Sequence, residues 1–216
     1  MDIELHGESL RLLPDRALYW PARQALLLAD LHLGKSGHFR RHGIPVPGLA
    51  SSHTLRRLET LVDTLRPEQI VFLGDLFHSS YNAEWEEFAR LMRRLHLPAL
   101  LVRGNHDLLP PEAYAEAALQ VVAEGYPMPP FELAHAPTGQ PGQGYRLCGH
   151  LHPGVQLSGK GRQQLRLPCF HFGAFEGVLP AFGQFTGLAM IEPAKTDQVY
   201  VLAEDQVWPI AISETD

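Results

Sequence analysis

Cysteine is nearly absent. Cys148 and Cys169 are the two in a chain of 216 residues. Neither belongs to a C-x-x-C pair, so neither a thiolate zinc site nor a disulfide framework is expected, and both fall in apolar surroundings that suit a buried, reduced pair. A positive excess is missing too. Lys and Arg number 18 against 24 Asp and Glu, a formal charge of −6, which argues against a broadly basic surface built to grip duplex DNA by its phosphates. It leaves nucleic acid open as a substrate at a site where bound cations supply the local positive charge. No apolar run reaches the length that crosses a bilayer. The N-terminal stretch MDIELHGESLRLLPDRALYW lacks an apolar core behind a basic start, so no secretory leader is expected. Internal repeats, low-complexity tracts and linkers are also missing, so residues 1–216 read as one domain. The expectation is a soluble, cytoplasmic protein with no membrane partner.

What is present is a hydrophobic fraction of 45%, enough for a sizeable core, with 19 glycines and 18 prolines, as in a loop-rich fold. Ile3–Leu5, Leu10–Leu13 and Ala17–Trp20 read as strands of a meander. The runs ALLLA, IVFL and ALLV, at residues 25–29, 70–73 and 99–102, read as buried strands. A helix is expected from Ser52, with Leu55, Leu58, Leu61, Val62 and Leu65 on one face and Pro67 as its stop. A second begins at Asn82, with acids early and Arg90, Arg93 and Arg94 late, as the helix dipole favours. A modest third helix covers Pro111–Leu119. Further strands follow at Phe131–Ala134 and Tyr145–Cys148, around Gly159–Gly161, and at Gly187–Ile191, Gln198–Leu202 and Gln206–Ile210. The order predicts an α/β fold: one mixed sheet with helices outside, and a second sheet from the two ends of the chain.

Five of the apolar runs end in groups able to hold a metal: Asp30-x-His32, Asp75, Asn105-His106, His135 and His150-x-His152. Sites in open α/β sheets form at the carboxyl ends of strands. In extended backbone, residues i and i+2 point the same way, so Asp30 with His32, and His150 with His152, are each expected to converge on one place. Taken singly, an Asp-x-His after a strand is a capped turn, and His135 before Ala-Pro is a loop histidine. All five in order, each at a strand end, are not explained that way. The mixed carboxylate, imidazole and amide donors suit Mn, Fe, Zn or Co and are too rich in nitrogen for a Ca or Mg cage. They exceed what one ion needs, and two ions bridged by one carboxylate would use them. Such a pair clamps the attacking and leaving oxygens of a phosphoryl displacement.

The motifs DLH, GDLFH, GNHD, HAP and GHLH, spanning residues 30–152, resemble the calcineurin-like metallophosphoesterase superfamily. The resemblance implies a four-layer α/β/β/α sandwich of two mixed sheets. It implies that Asp30, His32, Asp75 and His152 hold one divalent ion, that Asp75 bridges, and that Asn105, His135 and His150 complete the second. His106 would be the catalytic histidine, protonating the leaving oxygen as a hydroxide shared by the ions attacks in line, with Asp107 orienting it. The form Gly-Asp-Leu-Phe-His, in place of the Gly-Asp-x-x-Asp-Arg-Gly of protein phosphatases, resembles the double-strand-break repair nucleases, where that histidine, here His78, supports the catalytic one.

The pieces LLLADLHLGKSGHFRRHGIPVP, VFLGDLFHS, LVRGNHD, LCGHLHPGV, LRLPCFHFG and LPAFGQFTG cover nearly the whole chain and resemble the bacterial ligase-associated DNA damage response endonucleases. That resemblance implies Mn-dependent phosphodiester cleavage in DNA repair. It also implies functional association with an ATP-dependent DNA ligase, a helicase and an exonuclease. After the last motif no separate capping domain is expected. Hydrolysis of small nucleotides is the rival activity, favoured by the acidic net charge. A non-catalytic scaffold is a further rival, disfavoured because every ligand position and His106 are filled by competent residues. The loop KSGHFRR at 35–41 would place Lys35, Arg40 or Arg41 near a substrate phosphate, or would be a solvated basic loop. The five Phe between 170 and 185 read as core.

Overall fold

The computed structural model describes residues 1–34, 50–158, 164–184 and 186–212. The first sheet orders its strands as they occur in the chain: β1 (Asp2–Leu5), β2 (Glu8–Leu13), β3 (Ala17–Trp20), β4 (Ala25–Leu28), β5 (Gln69–Leu73), β6 (Ala99–Val102) and β7 (Leu119–Val122). β1 to β4 pair antiparallel, and β4 to β7 pair parallel. Parallel neighbours need crossovers. These are helices α1 (Ala50–Leu65), α2 (Ala83–Leu95) and α3 (Pro111–Glu116).

The second sheet holds β8 (Tyr126–Met128), β9 (Phe131–Leu133), β10 (Tyr145–Cys148), β11 (Pro153–Ser158), β12 (Gln164–Phe172), β13 (Glu176–Val178), β14 (Ala189–Met190), β15 (Gln198–Ala203) and β16 (Gln206–Ile210). Its order is β14-β11-β12-β13-β10-β9-β8, with β15 on β12 and β16 on β15. The expectation of two mixed sheets is therefore borne out. The expectation that both chain ends build the second sheet is corrected. The N-terminal meander extends the first sheet, because only Pro21–Gln24 separate β3 from β4 and so short a connection makes them antiparallel neighbours, Leu18 opposite Leu27.

Alternation sorts the core into layers. In β4, β5 and β6, Leu26, Leu28, Ile70, Phe72 and Leu101 pack toward the helices, against Leu55, Leu58, Trp85, Phe88 and Tyr114. Leu27, Val71, Leu73, Leu100 and Val102 face the other way, toward Phe131, Leu133, Leu147, Phe170 and Phe172 of the second sheet. Burial on both faces explains the unbroken apolar runs. A smaller cluster of Val155, Cys169, Val199 and Val201 lies on the opposite face of the second sheet. The three described helices all sit on the first sheet. Both cysteines are buried free thiols, and burial pushes Cys169 up to about 12. No helix among the described residues is long and apolar enough to cross a membrane.

Candidate metal centre

The loops that leave β4 and β5 are zipped together by main-chain bonds: Asp30 N to Gly74 O at 3.2 Å, His32 N to Asp75 O at 2.9 Å and Leu33 N to Leu76 O at 3.0 Å. Side chains on these two loops are thereby fixed relative to each other. Five candidate ligands adopt the left-handed region: Asp30 (φ 52), His32 (φ 46), Asp75 (φ 48), His150 (φ 69) and His152 (φ 51). Such backbone costs free energy at a residue with a side chain and collects at functional sites. Close approach requires the motif glycines Gly74, Gly104 and Gly149. A Cβ on Gly74, itself at φ +78, would lie 2.3 Å from His135 Nδ1, and one on Gly149 would lie 2.4 Å from Asp30 Oδ2.

Two groups of donors result, Asp30 with His32 and His152, and Asp75 with His135 and His150, each within 4.8 Å of one another. In the first, His32 Nε2 is 3.1 Å from His152 Nε2, which is 3.6 Å from Asp30 Oδ1. In the second, His135 Nε2 is 2.9 Å from His150 Nδ1 and 3.3 Å from Asp75 Oδ1. Asp75 lies between the groups, because its other oxygen, Oδ2, is 3.8 Å from His32 Nε2. The expected convergence of His150 with His152 on one place is corrected. Neither is in extended backbone, and their rings serve different groups.

The donors fit cations. Two imidazoles bound to one ion at about 2.0–2.1 Å each hold their nitrogens roughly 3.0–3.4 Å apart, close to the separations found. Asp30 and His135 are 0% exposed, and Asp30 Oδ1 is buried with no hydrogen-bond donor. Buried carboxylates without compensation are costly; a cation removes the cost. Nδ1 of His135 faces the Leu73 carbonyl at 3.1 Å. Donating there fixes the tautomer and leaves Nε2 as the ligand.

His106 stands beside Asp75. Its main-chain N–H donates to Asp75 Oδ1 at 3.0 Å, and its Nε2, on a side chain 45% exposed, is 3.9 Å from Asp75 Oδ2. The His78 ring lies against it, with centroids 3.8 Å apart and the planes tilted by 39°. Asn105 is exposed in the same turn. Asp107 takes a different part from the one expected. Its carboxylate accepts from the main-chain N–H groups of Gly104 at 2.8 Å, Leu76 at 2.9 Å and Phe77 at 3.2 Å. It ties the GNHD turn to the GDLF loop rather than gripping the His106 ring. Burial, with Asp75 nearby, pushes its carboxyl up to about 6, against those three donors. Lys35, Arg40 and Arg41 lie outside the described residues.

A support that motif reading did not single out comes from the segment after β13. Phe182 N donates to Ala29 O at 2.8 Å and Gly183 N to Asp30 O at 3.1 Å. Arg57 holds this segment by a bond to the Phe182 carbonyl and by lying 4.0 Å over the Phe182 ring. Arg16 reaches the Gly183 carbonyl at 3.4 Å. Two arginines from separate elements carry no sequence signal of that role.

Residues 24–205 match the family model of the calcineurin-like phosphoesterases. The crystal structure of the Pseudomonas putida nuclease MPE superposes with a TM-score of 0.82 at 38% identity, covering 97% of this chain and 99% of that one. The protein of unknown function AQ665 from Aquifex aeolicus aligns at 18% identity and TM-score 0.41, over 64% of this chain and 82% of that one. Yfce, a phosphoesterase from E. coli, aligns at 15% and 0.46, over 88% and 99%. No curated protein matches the chain. With the family model spanning most of its length and its two Asp/His groups built at strand ends, this chain belongs to the calcineurin-like phosphoesterases, metal-dependent hydrolases of phosphoester bonds.

Proposed function

We propose that the protein is a dinuclear metal-dependent phosphodiesterase that cuts nucleic acid, as a DNA endonuclease in DNA repair. The observation that carries this is Asp75 set between two Asp/His groups with His106 at its edge. Its likeness to a protein described as a nuclease, across 97% of the chain, supports the substrate class. Asp30, His32, Asp75 and His152 would hold one ion, and Asp75, Asn105, His135 and His150 the other, with Mn²⁺ the expected metal. When bound, such a pair neutralises phosphate charge and supplies a nucleophile at neutral pH.

The chain's own residues do the rest. The cleavage breaks a P–O bond, and the departing oxygen needs a proton. His106, half-exposed beside Asp75, delivers it from Nε2. The bond from its main-chain N–H to Asp75 holds the backbone of that histidine to the ligand set, and the tilted His78 ring packs against one side of its own. Asp107 acts as a positioning residue, locking the turn that carries His106. Function beside an ATP-dependent DNA ligase, a helicase and an exonuclease in the cytoplasm completes the reading.

The net charge of −6 favours one rival, small nucleotide diesters. Labelled single-stranded and duplex DNA, a cyclic nucleotide and a dinucleoside polyphosphate, each incubated with Mn²⁺ and either wild type or His106→Asn, separate the two. Internal cuts in DNA that fall about 10²- to 10⁴-fold in the variant, the range of general acid catalysis, fit the proposal. Turnover of the small diesters with no cut in DNA moves the substrate to nucleotides. Cutting that survives in His106→Asn rejects the role given to that histidine.

A further inference from the structure

Beside His106 the site opens into a cleft of about 490 Å³, within the range of ligand pockets. His78 and His106 form its inner wall, and Tyr81, Leu108, Leu109 and Pro110 continue it outward. This ledge is apolar where the rest of the site is ionic. Leu108 is 83% exposed and Tyr81 45% exposed. Exposed apolar groups gathered at the rim of a site mark binding surface.

The ledge is also held in place. Leu108 N donates to the His106 carbonyl at 3.0 Å, a tight turn that fixes where Leu108 stands. Leu109 N donates to the Tyr114 hydroxyl at 3.2 Å. The Tyr81 hydroxyl donates to Glu116 Oε2 at 3.0 Å, which holds the ring. Among the described residues that line the cleft there is no Lys or Arg, and behind Tyr81 the guanidinium of Arg93 is taken up by Glu116 at 3.5 Å. A second phosphate is therefore disfavoured there. A flat ring with an aromatic face suits it, since bases stack on aromatic side chains whatever their identity.

Resting on the nucleic-acid reading above, we propose that this ledge is a nucleobase subsite: the base next to the scissile phosphate, on the side of the oxygen His106 protonates, lies against Tyr81 and Leu108. The base anchors the strand so that the phosphodiester sits at His106. The subsite selects for a base being present rather than for which base.

A cycle that removes the base and the side chains in turn tests it. Labelled DNA with one strong cut site is prepared intact and with a single abasic residue on the leaving side of that cut. Both are cleaved in Mn²⁺ by wild type, Tyr81→Ala and Leu108→Ala. Removing the base, or truncating either side chain, is expected to lower kcat/KM about tenfold, the scale of one base stack. The two changes together are expected to cost about the same tenfold. Additive losses, or losses from neither change, overturn the subsite. Leu108 is so exposed that its truncation opens no core cavity, and base removal leaves the protein untouched, so the cycle stands even if Tyr81→Ala folds poorly. A wild type that cuts neither DNA overturns the nuclease reading together with the subsite, whereas normal cutting that ignores the base overturns the subsite alone.

Discussion

At the residue scale the site is governed by where each polar atom finds its partner. Asp107 is the clearest case. In the string GNHD it reads as a side chain for orienting the neighbouring imidazole, because sequence shows adjacency and not direction. The fold turns its carboxylate inward to three main-chain N–H groups. Asp107→Asn replaces one accepting oxygen with an amide that faces donors. It is expected to destabilise the metal-free protein by about 1–3 kcal/mol, the cost of leaving buried donors unmet. Urea unfolding should show a lower midpoint at unchanged slope, and DNA cleavage should fall with it because the His106 turn loosens. An unchanged midpoint would mean that those three bonds are dispensable. The candidate ligands themselves were legible in sequence, since Asp, His and Asn at strand ends are visible as letters. Their left-handed backbone was not, because Asp and His enter that region more readily than most residues but only the surrounding loops decide where they do.

At the element scale, the strands whose two faces are both buried were legible. ALLL of β4, IVFL of β5 and ALLV of β6 are apolar at every position because a helix layer covers one face and a sheet the other. Asn82 was readable as a helix start, and its side chain does cap α2 by accepting from Glu84 N at 2.9 Å. The segment Ala117–Leu119 reads in the sequence as the end of a helix over Pro111–Leu119. Its alanines favour helix locally, yet α3 stops at Glu116 and Leu119 begins β7, whose parallel pairing with β6 outweighs propensity. The loop after β5 supports a sharp prediction. Gly74→Ala puts a Cβ within 2.3–2.8 Å of the His135 side chain at a backbone angle only glycine adopts freely. The variant is expected to displace His135 and bind at least tenfold less Mn²⁺ by isothermal titration, as for loss of a ligand's support. Wild-type affinity would show that the ring can yield without cost to the site.

At the scale of the whole molecule, each donor group draws on both sheets. Asp30, His32 and Asp75 leave the first sheet, whereas His135, His150 and His152 leave the second. An ion in either group therefore fastens one sheet to the other, on top of the apolar layer between them. Mn²⁺ at about 100 times its Kd should add roughly 2.7 kcal/mol per site. That corresponds to a rise in Tm of about 5–10 °C for a chain of this size, reversed by EDTA. No shift would mean that the groups do not bind as the folded state requires. This cross-sheet arrangement lay beyond sequence reading, which sent the N-terminal meander to the second sheet. The pairing of β3 with β4 decides that question, and pairing is a property of the whole fold.

The most direct test of a dinuclear phosphodiesterase is a Mn²⁺ titration of metal-stripped protein in which bound metal per chain and cleavage of labelled DNA are read from the same samples. Two ions per chain at saturation are expected, with cleavage that rises with the second, and one ion with no cutting in Asp75→Asn. Cutting by the stripped protein, or full activity with a single bound ion, would rule out a dinuclear mechanism.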